Sequence, residues 1–258
     1  MKQLNIGIIG AGRIGKVHMQ SITYNVPTAK VHGITDVFKN GLQELADKYG
    51  IEKVYNDYKE MLADEEIDAV LVCSSTDTHA DISIEAANAG KHVFCEKPDA
   101  INTTEALKMK EASEKAGKIL HVMRNNRYYS NSQYLKEFIN NGGAGDIYCG
   151  RCGWIRRRGI PGKGGWFTTK AKSGGGGLID IAVHFLDLVM WLSNKWEPTK
   201  VSAKTYSKFG NPINDYHYVS MWAGPPKADG VFDVDDYAAG FVRFGAETTL
   251  SFEVAWAC

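Results

Sequence analysis

Three groups of residues in this 258-residue chain have types and spacings that could do chemistry. The first is Gly10-Ala11-Gly12-Arg13-Ile14-Gly15, which follows the apolar run Asn5-Ile6-Gly7-Ile8-Ile9, with Asp36 lying 21 positions beyond Gly15. A glycine at the first position lets the chain turn sharply off a buried strand. A second leaves room for a pyrophosphate against the backbone, and a third lets the next helix pack close to the sheet. The N-terminus of that helix offers N–H groups to phosphate, and an acid ending the second strand can accept from ribose hydroxyls. The pattern predicts a dinucleotide site built from Gly10, Gly12, Arg13, Ile14, Gly15 and Asp36. The Asp36 charge would repel a 2′-phosphate, so NAD is expected over NADP, although Lys39 stands nearby.

The second group is Glu96-Lys97-Pro98, at the end of the apolar run Val93-Phe94-Cys95. Ligands of open α/β sheets bind beyond the carboxyl ends of the strands. Glu96 and Lys97 are therefore expected where a nicotinamide would lie, with Lys97 supplying positive charge near a reacting oxygen. Pro98 restricts Lys97 to extended backbone. A salt-bridged pair before a turn is the plain alternative. The third group is Asp180 and His184, four apart in the apolar stretch Leu178 to Leu188. On a helix that spacing shares a face. Asp180 could then hold His184 in one tautomer and raise its basicity, as a general base near neutral pH requires. A packed structural histidine is the alternative.

These residues need a scaffold, and the first half of the chain supplies one. Strands are predicted near 4–9, 31–36, 68–73, 91–95 and 118–123. Helices are predicted near 14–23, 39–49, 57–63, 78–89 and 103–116, the alternation of a doubly wound parallel sheet. Asp64-Glu65-Glu66 reads as a solvated loop. After Met123 the texture changes to a helix over 131–140, a helix over 178–191 introduced by Gly174 to Gly177, and strands at 146–156, 199–209, 214–222, 237–243 and 247–256. The expectation is a Rossmann α/β domain over 1–123, then an α+β domain over 124–258 with a large, mostly antiparallel open sheet. The last strand stops without a closing turn, so this domain is expected to be C-terminally incomplete.

Composition narrows the function classes. Thirty basic and thirty acidic residues cancel, so no global field favours nucleic acid or an anionic membrane, and neither is expected as a partner. No apolar run approaches a bilayer span. The first strand begins at once, so no signal peptide is expected. Five cysteines, an odd number, with Cys73 and Cys95 in apolar runs, fit a reducing cytoplasm. Cys149-Gly150-Arg151-Cys152 matches C-x-x-C, but residues three apart on a strand face opposite sides, so the spacing reads as chance. No metal cluster is evident.

The glycine motif, Glu96-Lys97-Pro98 and Asp180-x-x-x-His184, in this order, resemble the glucose–fructose oxidoreductase / inositol dehydrogenase / rhizopine-catabolism family over essentially the whole chain. Cys73-Ser74-Ser75-Thr76-Asp77-Thr78-His79 is similar to that family's cofactor-flanking loop, and Asn126-Arg127-Tyr128 to its interdomain segment. The resemblance implies NAD as cofactor, with Ser74, Ser75, Thr76, His79 and Glu96 beside it. It also implies Lys97 and His184 as the catalytic pair, supported by Asp180, and oxidation of a sugar or polyol hydroxyl. A homodimer or homotetramer is expected through an open sheet face carrying Tyr206, Tyr218, Met221, Trp222, Phe241 and Phe252. A reductase of a ketose, dihydrodiol or imine, and a non-catalytic dinucleotide-binding regulator, are the rival readings. Family members continue past this chain's end. The basic, aromatic loop from Arg156 to Lys172 departs from the inositol enzymes and reads either as a solvated or inter-subunit loop or as a substrate lid, with an anionic substrate as a lesser option. Tyr237 lies near positions that sometimes contact substrate, and strand packing explains it equally well.

Overall fold

In a computed structural model, which describes residues 3–210 and 223–258, the chain divides into two compact units, Met1–Met123 and Arg124–Cys258. The first unit alternates β1 (Leu4–Ile9), α1 (Arg13–Asn25), β2 (Ala29–Thr35), α2 (Leu42–Tyr49), β3 (Lys53–Val54), α3 (Tyr58–Ala63), β4 (Ala69–Val72), α4 (His79–Asn88), β5 (His92–Cys95), α5 (Thr103–Ala116) and β6 (Leu120–Val122). All six strands are parallel, in the order β3-β2-β1-β4-β5-β6. Side chains alternate across the sheet, so successive apolar residues feed two cores. Ile8, Ile34 and Leu71 join one with Met19 of α1 and Ala46 of α2, while Ile9, Val70 and Val72 join the other with Ile82 of α4 and Met109 of α5. Local caps set the helix starts. Asp57 accepts from the Glu60 amide at 2.9 Å before α3, and Asn102 accepts from the Glu105 amide at 2.9 Å before α5.

The order reverses between β1 and β4, which creates a crevice at their carboxyl ends. The five strands read from sequence are present with slightly different limits, and β3 is additional. Two residues carry too little periodicity to be read as a strand. Asp36 lies just past the end of β2 rather than within it.

The second unit contains α6 (Ser130–Asn140), β7 (Cys149–Ile155), α7 (Lys170–Ser173), a π-helical turn over Leu178–Ala182 that runs into α8 (Val183–Ser193), β8 (Pro198–Tyr206), β9 (Tyr237–Phe244) and β10 (Thr248–Ala255). The sheet order is β7-β10-β9-β8, with β10 antiparallel to β9, β9 antiparallel to β8, and β7 parallel to β10. The sheet is mixed and mostly antiparallel. Leu250, Phe252 and Val254 of β10 are buried, and the last two share a core with Ile181, Ala182, Ile160 and Trp256.

Several expectations are corrected here. Phe252 belongs to this core and not to the open face, because β10 alternates and Phe252 shares the inward parity of Leu250 and Val254. The predicted strand 214–222, with Tyr218, Met221 and Trp222, lies outside the described residues. Tyr206 and Phe241 are exposed, and their face also carries an Arg151–Glu253 pair and a hydrogen bond from Tyr237 to Glu253 at 2.6 Å. The expected helix 178–191 opens as a π turn, which apolar periodicity does not signal. The stretch Lys170–Ser193 reaches the length and hydropathy (1.5) of a bilayer span, contrary to the reading of the sequence. Ile181 and Ala182 of this stretch belong to the unit's own core, while residues 183–192 are half-buried. The basic loop is solvated only at Arg157 and Arg158 and again over 170–172. Ile160 to Gly164 is buried, Lys163 completely so. Asp64, expected in a solvated loop, is instead tied down by Lys53 and Tyr55.

Candidate active site

In the first unit, the turn between β1 and α1 has the geometry that a dinucleotide needs. Gly10 has φ +99°, and a Cβ there would lie 2.7 Å from the backbone of Cys73. A Cβ on Gly15 would lie 2.0 Å from the Gly10 carbonyl oxygen, so α1 can start this close only with glycine. A Cβ on Gly12 would meet nothing within 4 Å, which leaves open space over the turn. The first turn of α1 has no acidic residue and no side-chain cap, so its N-terminal amides and dipole are left for an anion. These residues fit a pyrophosphate.

Asp36 stands beside this turn. Its Oδ2 accepts from the Ala11 amide at 2.6 Å and its Oδ1 from the Phe38 amide at 2.8 Å. The carboxylate therefore also holds the glycine turn in shape. A cleft of about 480 Å³ opens here, lined by Gly12, Lys16, Asp36, Phe38, Leu45 and Lys48 among others.

At the end of β5, Glu96 is buried and Lys97 precedes a cis peptide to Pro98. Glu96 Oε1 lies 2.7 Å from His18 Nε2 of α1, and Oε2 accepts from the Lys97 amide at 3.1 Å. Burial pushes the Glu96 carboxyl up. The His18 hydrogen bond and charge, the Lys97 amide and the Lys97 charge more than offset this and hold it below its ordinary range. The reading of the sequence missed His18. Its distance from Glu96 along the chain hides the pairing, and only the packing of α1 on the sheet brings the two together.

The loop after β4 is built around His79, which is 1 % exposed. Its Nδ1 lies 2.8 Å from the Pro98 carbonyl and its Nε2 3.2 Å from the Ser74 carbonyl. Burial lowers its pKa against the pull of those carbonyls. His79 thus ties the loop after β4 to the turn after β5. Ser74 accepts from the Thr78 hydroxyl at 2.7 Å, Ser75 is half-buried, and the buried Thr76 hydroxyl has no hydrogen-bond partner.

A separate cluster in this unit brings His32, Asp64 and Glu66 within 4.8 Å of one another, a grouping the sequence did not suggest. Lys53 Nζ lies 2.7 Å from Asp64 and 2.6 Å from Glu66, so an ammonium already serves those carboxylates. We read the cluster as an ion-pair network.

In the second unit, Asp180 sits in the π turn and His184 in the first turn of α8. Asp180 is buried, and its Oδ2 accepts from the Trp256 indole N–H at 2.8 Å. Single π turns within helices recur at functional sites. The glycine run before this helix has a packing cause. A Cβ on Gly176 would lie 1.8 Å from the Asp235 carbonyl oxygen, and the Asp235 carboxylate accepts from the amides of Gly176 (3.0 Å) and Leu178 (2.8 Å). One turn beyond His184, Asp187 takes a two-pronged pair from Arg127, with Arg124 3.3 Å away. Asn126 donates to the His184 carbonyl at 3.5 Å. The segment 124–127 therefore braces the helix that carries His184. Cys149 is exposed and Cys152 half-buried; both are free, and burial pushes the Cys152 thiol up to about 11.

Residues 4–124 match the oxidoreductase family model with an NAD-binding Rossmann fold, and residues 132–258 match the GFO/IDH/MocA C-terminal domain. The chain belongs to the GFO/IDH/MocA oxidoreductase family. It is 43 % identical over 142 residues to a myo-inositol 2-dehydrogenase of Thermotoga maritima, covering 55 % of this chain and 42 % of that protein. To a D-glucoside 3-dehydrogenase of Escherichia coli it is 36 % identical, over 80 % of this chain and 59 % of the relative. A levoglucosan dehydrogenase solved with NADH and levoglucosan superposes with a TM-score of 0.83 at 26 % identity, covering 100 % of this chain and 68 % of that one. The chain thus spans 42–59 % of the length of these two curated relatives. Its first unit is an NAD-binding Rossmann domain of this family.

Proposed function

We propose that this protein is an NAD-dependent dehydrogenase that oxidises a secondary hydroxyl of a sugar or polyol, of inositol or glycoside type. Gly10 to Gly15 would hold the pyrophosphate at the α1 N-terminus, and Asp36 the adenosine ribose. Ser74, Ser75 and Thr76 would flank the cofactor, and Glu96 and Lys97 its nicotinamide end. His79 acts one step back, by fixing the two loops. Bound NAD supplies the hydride acceptor. Neutral His184 takes the hydroxyl proton, and Asp180, itself held by Trp256, orients the imidazole. Lys97 stabilises the oxygen as it gains negative charge.

The observation that carries this reading is the buried Asp180, fixed by the Trp256 indole and placed four residues before His184. A protein that only senses the dinucleotide needs the glycine turn but no acid–base pair. The names of the relatives support inositol- and glycoside-like substrates. The test is a screen of inositols, glucosides and anhydrosugars with NAD, followed at the nicotinamide absorbance band. Normal NAD binding with no turnover on any of them would turn the reading toward a regulator.

We also place the protein in a reducing cytoplasm, consistent with five cysteines that form no disulfide, and assign it a homodimeric or homotetrameric state through the open face of the second sheet.

A further inference from the structure

The turn that carries Lys97 is held by a residue 78 positions away from Glu96. We propose that His18 is a positioning residue: by pinning the Glu96 carboxylate between α1 and the Lys97 backbone, it fixes the turn from which Lys97 acts. The kinetic part of this inference rests on the dehydrogenase reading above. The geometric part does not.

The two oxygens of Glu96 are divided between two jobs. Oε1 faces His18 Nε2 at 2.7 Å, and Oε2 accepts from the Lys97 amide at 3.1 Å. Neither side chain has freedom to drift, since 12 % of His18 and 9 % of Glu96 are exposed. The His18 ring meets Phe94 edge-on, with centroids 5.8 Å apart, and Phe94 stacks on His121 at 5.0 Å. Glu96 is further fixed by its own amide, which donates to the Val72 carbonyl at 2.9 Å. A buried carboxylate stays ionised only where a donor or opposite charge compensates its lost hydration. Removing the imidazole leaves Glu96 to take up a proton or to swing toward water. Either response alters the acceptor on the Lys97 amide.

The same contact joins two parts of the candidate site. His18 is on the helix that begins at the glycine turn, and Glu96 follows directly on the strand that leads into Lys97. The helix that would receive the phosphates therefore also sets the turn at the reacting end.

The experiment compares the full-length protein with His18→Leu, His18→Gln, Glu96→Gln and the His18→Leu/Glu96→Gln double variant. Lysines are labelled by reductive carbon-13 methylation, and the Lys97 resonance is assigned by its loss in Lys97→Arg. His18→Leu should move that resonance, and His18→Gln, which restores an N–H donor, should return it toward the wild-type position. With a substrate from the screen, kcat should fall about 10- to 100-fold in His18→Leu, the range typical of residues that orient a functional side chain. NADH affinity should stay within about threefold, so the loss appears in kcat and not in cofactor binding. The double variant should be no slower than Glu96→Gln alone, because both changes break one unit. If His18→Leu does not fold, His18→Asn takes its place in every comparison. An unmoved Lys97 resonance, or losses that multiply in the double variant, overturns the inference. A resonance that moves in a protein that oxidises nothing leaves His18 in this role and removes the dehydrogenase reading instead.

Discussion

At the scale of single residues, His184 and Asp36 make separable predictions. Replacing His184 with Ala should remove the proposed proton acceptor and leave the Gly10–Gly15 turn intact. NAD affinity should barely change while turnover falls roughly 10²–10⁴-fold. Asp180→Asn should cost less, since it misorients the imidazole without deleting it. Near-normal turnover in His184→Ala would make His184 a packing residue. Asp36 holds the Ala11 amide at 2.6 Å, and in the proposed site it also sets the charge where the adenosine ribose would lie. NAD should bind at least about tenfold more tightly than NADP, and Asp36→Ser should narrow the gap from both sides. Tighter NADP binding by the unmodified protein, measured by NADH displacement, would reject this.

At the scale of elements, the helix bearing Asp180 and His184 begins against backbone that cannot yield. A methyl on Gly176 would have to displace Asp235, whose carbonyl oxygen is 1.8 Å from the new atom. Gly176→Ala should therefore destabilise by about 1–3 kcal/mol, as overpacked sites do, and should lower activity by shifting the π turn. Asp235→Ala loses the acceptor for the Gly176 and Leu178 amides and should cost about 1–2 kcal/mol, like the loss of a helix cap. Urea unfolding reads both; unchanged midpoints would show that the glycine run is slack.

At the scale of the whole molecule, pH and assembly give two further tests. Lys53 holds the Asp64 carboxyl well below the usual carboxylate range, with Tyr55 adding to it, and lowers Glu66 as well. A carboxylate with a depressed folded pKa contributes stability above its unfolded value, about 4, and loses it as pH falls toward the folded one. Lys53→Met should lower the melting temperature at neutral pH, and the gap to the unmodified protein should close in acid. A gap that stays constant between neutral pH and pH of about 3 would show that the network adds nothing through ionisation. The effect should be modest, because Lys53 and Glu66 are well exposed. For assembly, Phe241→Asp on the open sheet face should turn a dimer or tetramer into a smaller species in light scattering. A unit that is monomeric before the change contradicts the assignment.

Much of this was legible in the sequence, because the signals are local. Alternating apolar runs separated by helix-length segments specify a parallel sheet, since a strand buried on both faces needs helices on both sides. A glycine motif between a strand and a helix admits few conformations. The spacing of Asp180 and His184 puts them on one helical turn in almost any packing. Other features depend on partners far along the chain, and only the tertiary structure decided them. Phe252 reads as an exposed aromatic until strand pairing fixes its parity, and the loop of Lys163, open from sequence to a solvated, inter-subunit or lid role, buries that lysine completely. The glycines at 174–177 read as a loop that introduces a helix, and only the packing shows that Gly176 lies against the Asp235 backbone. His18 carries no mark in its own neighbourhood. Its role follows from burying Glu96, which costs an ionised carboxylate its water and obliges the fold to place a donor opposite it.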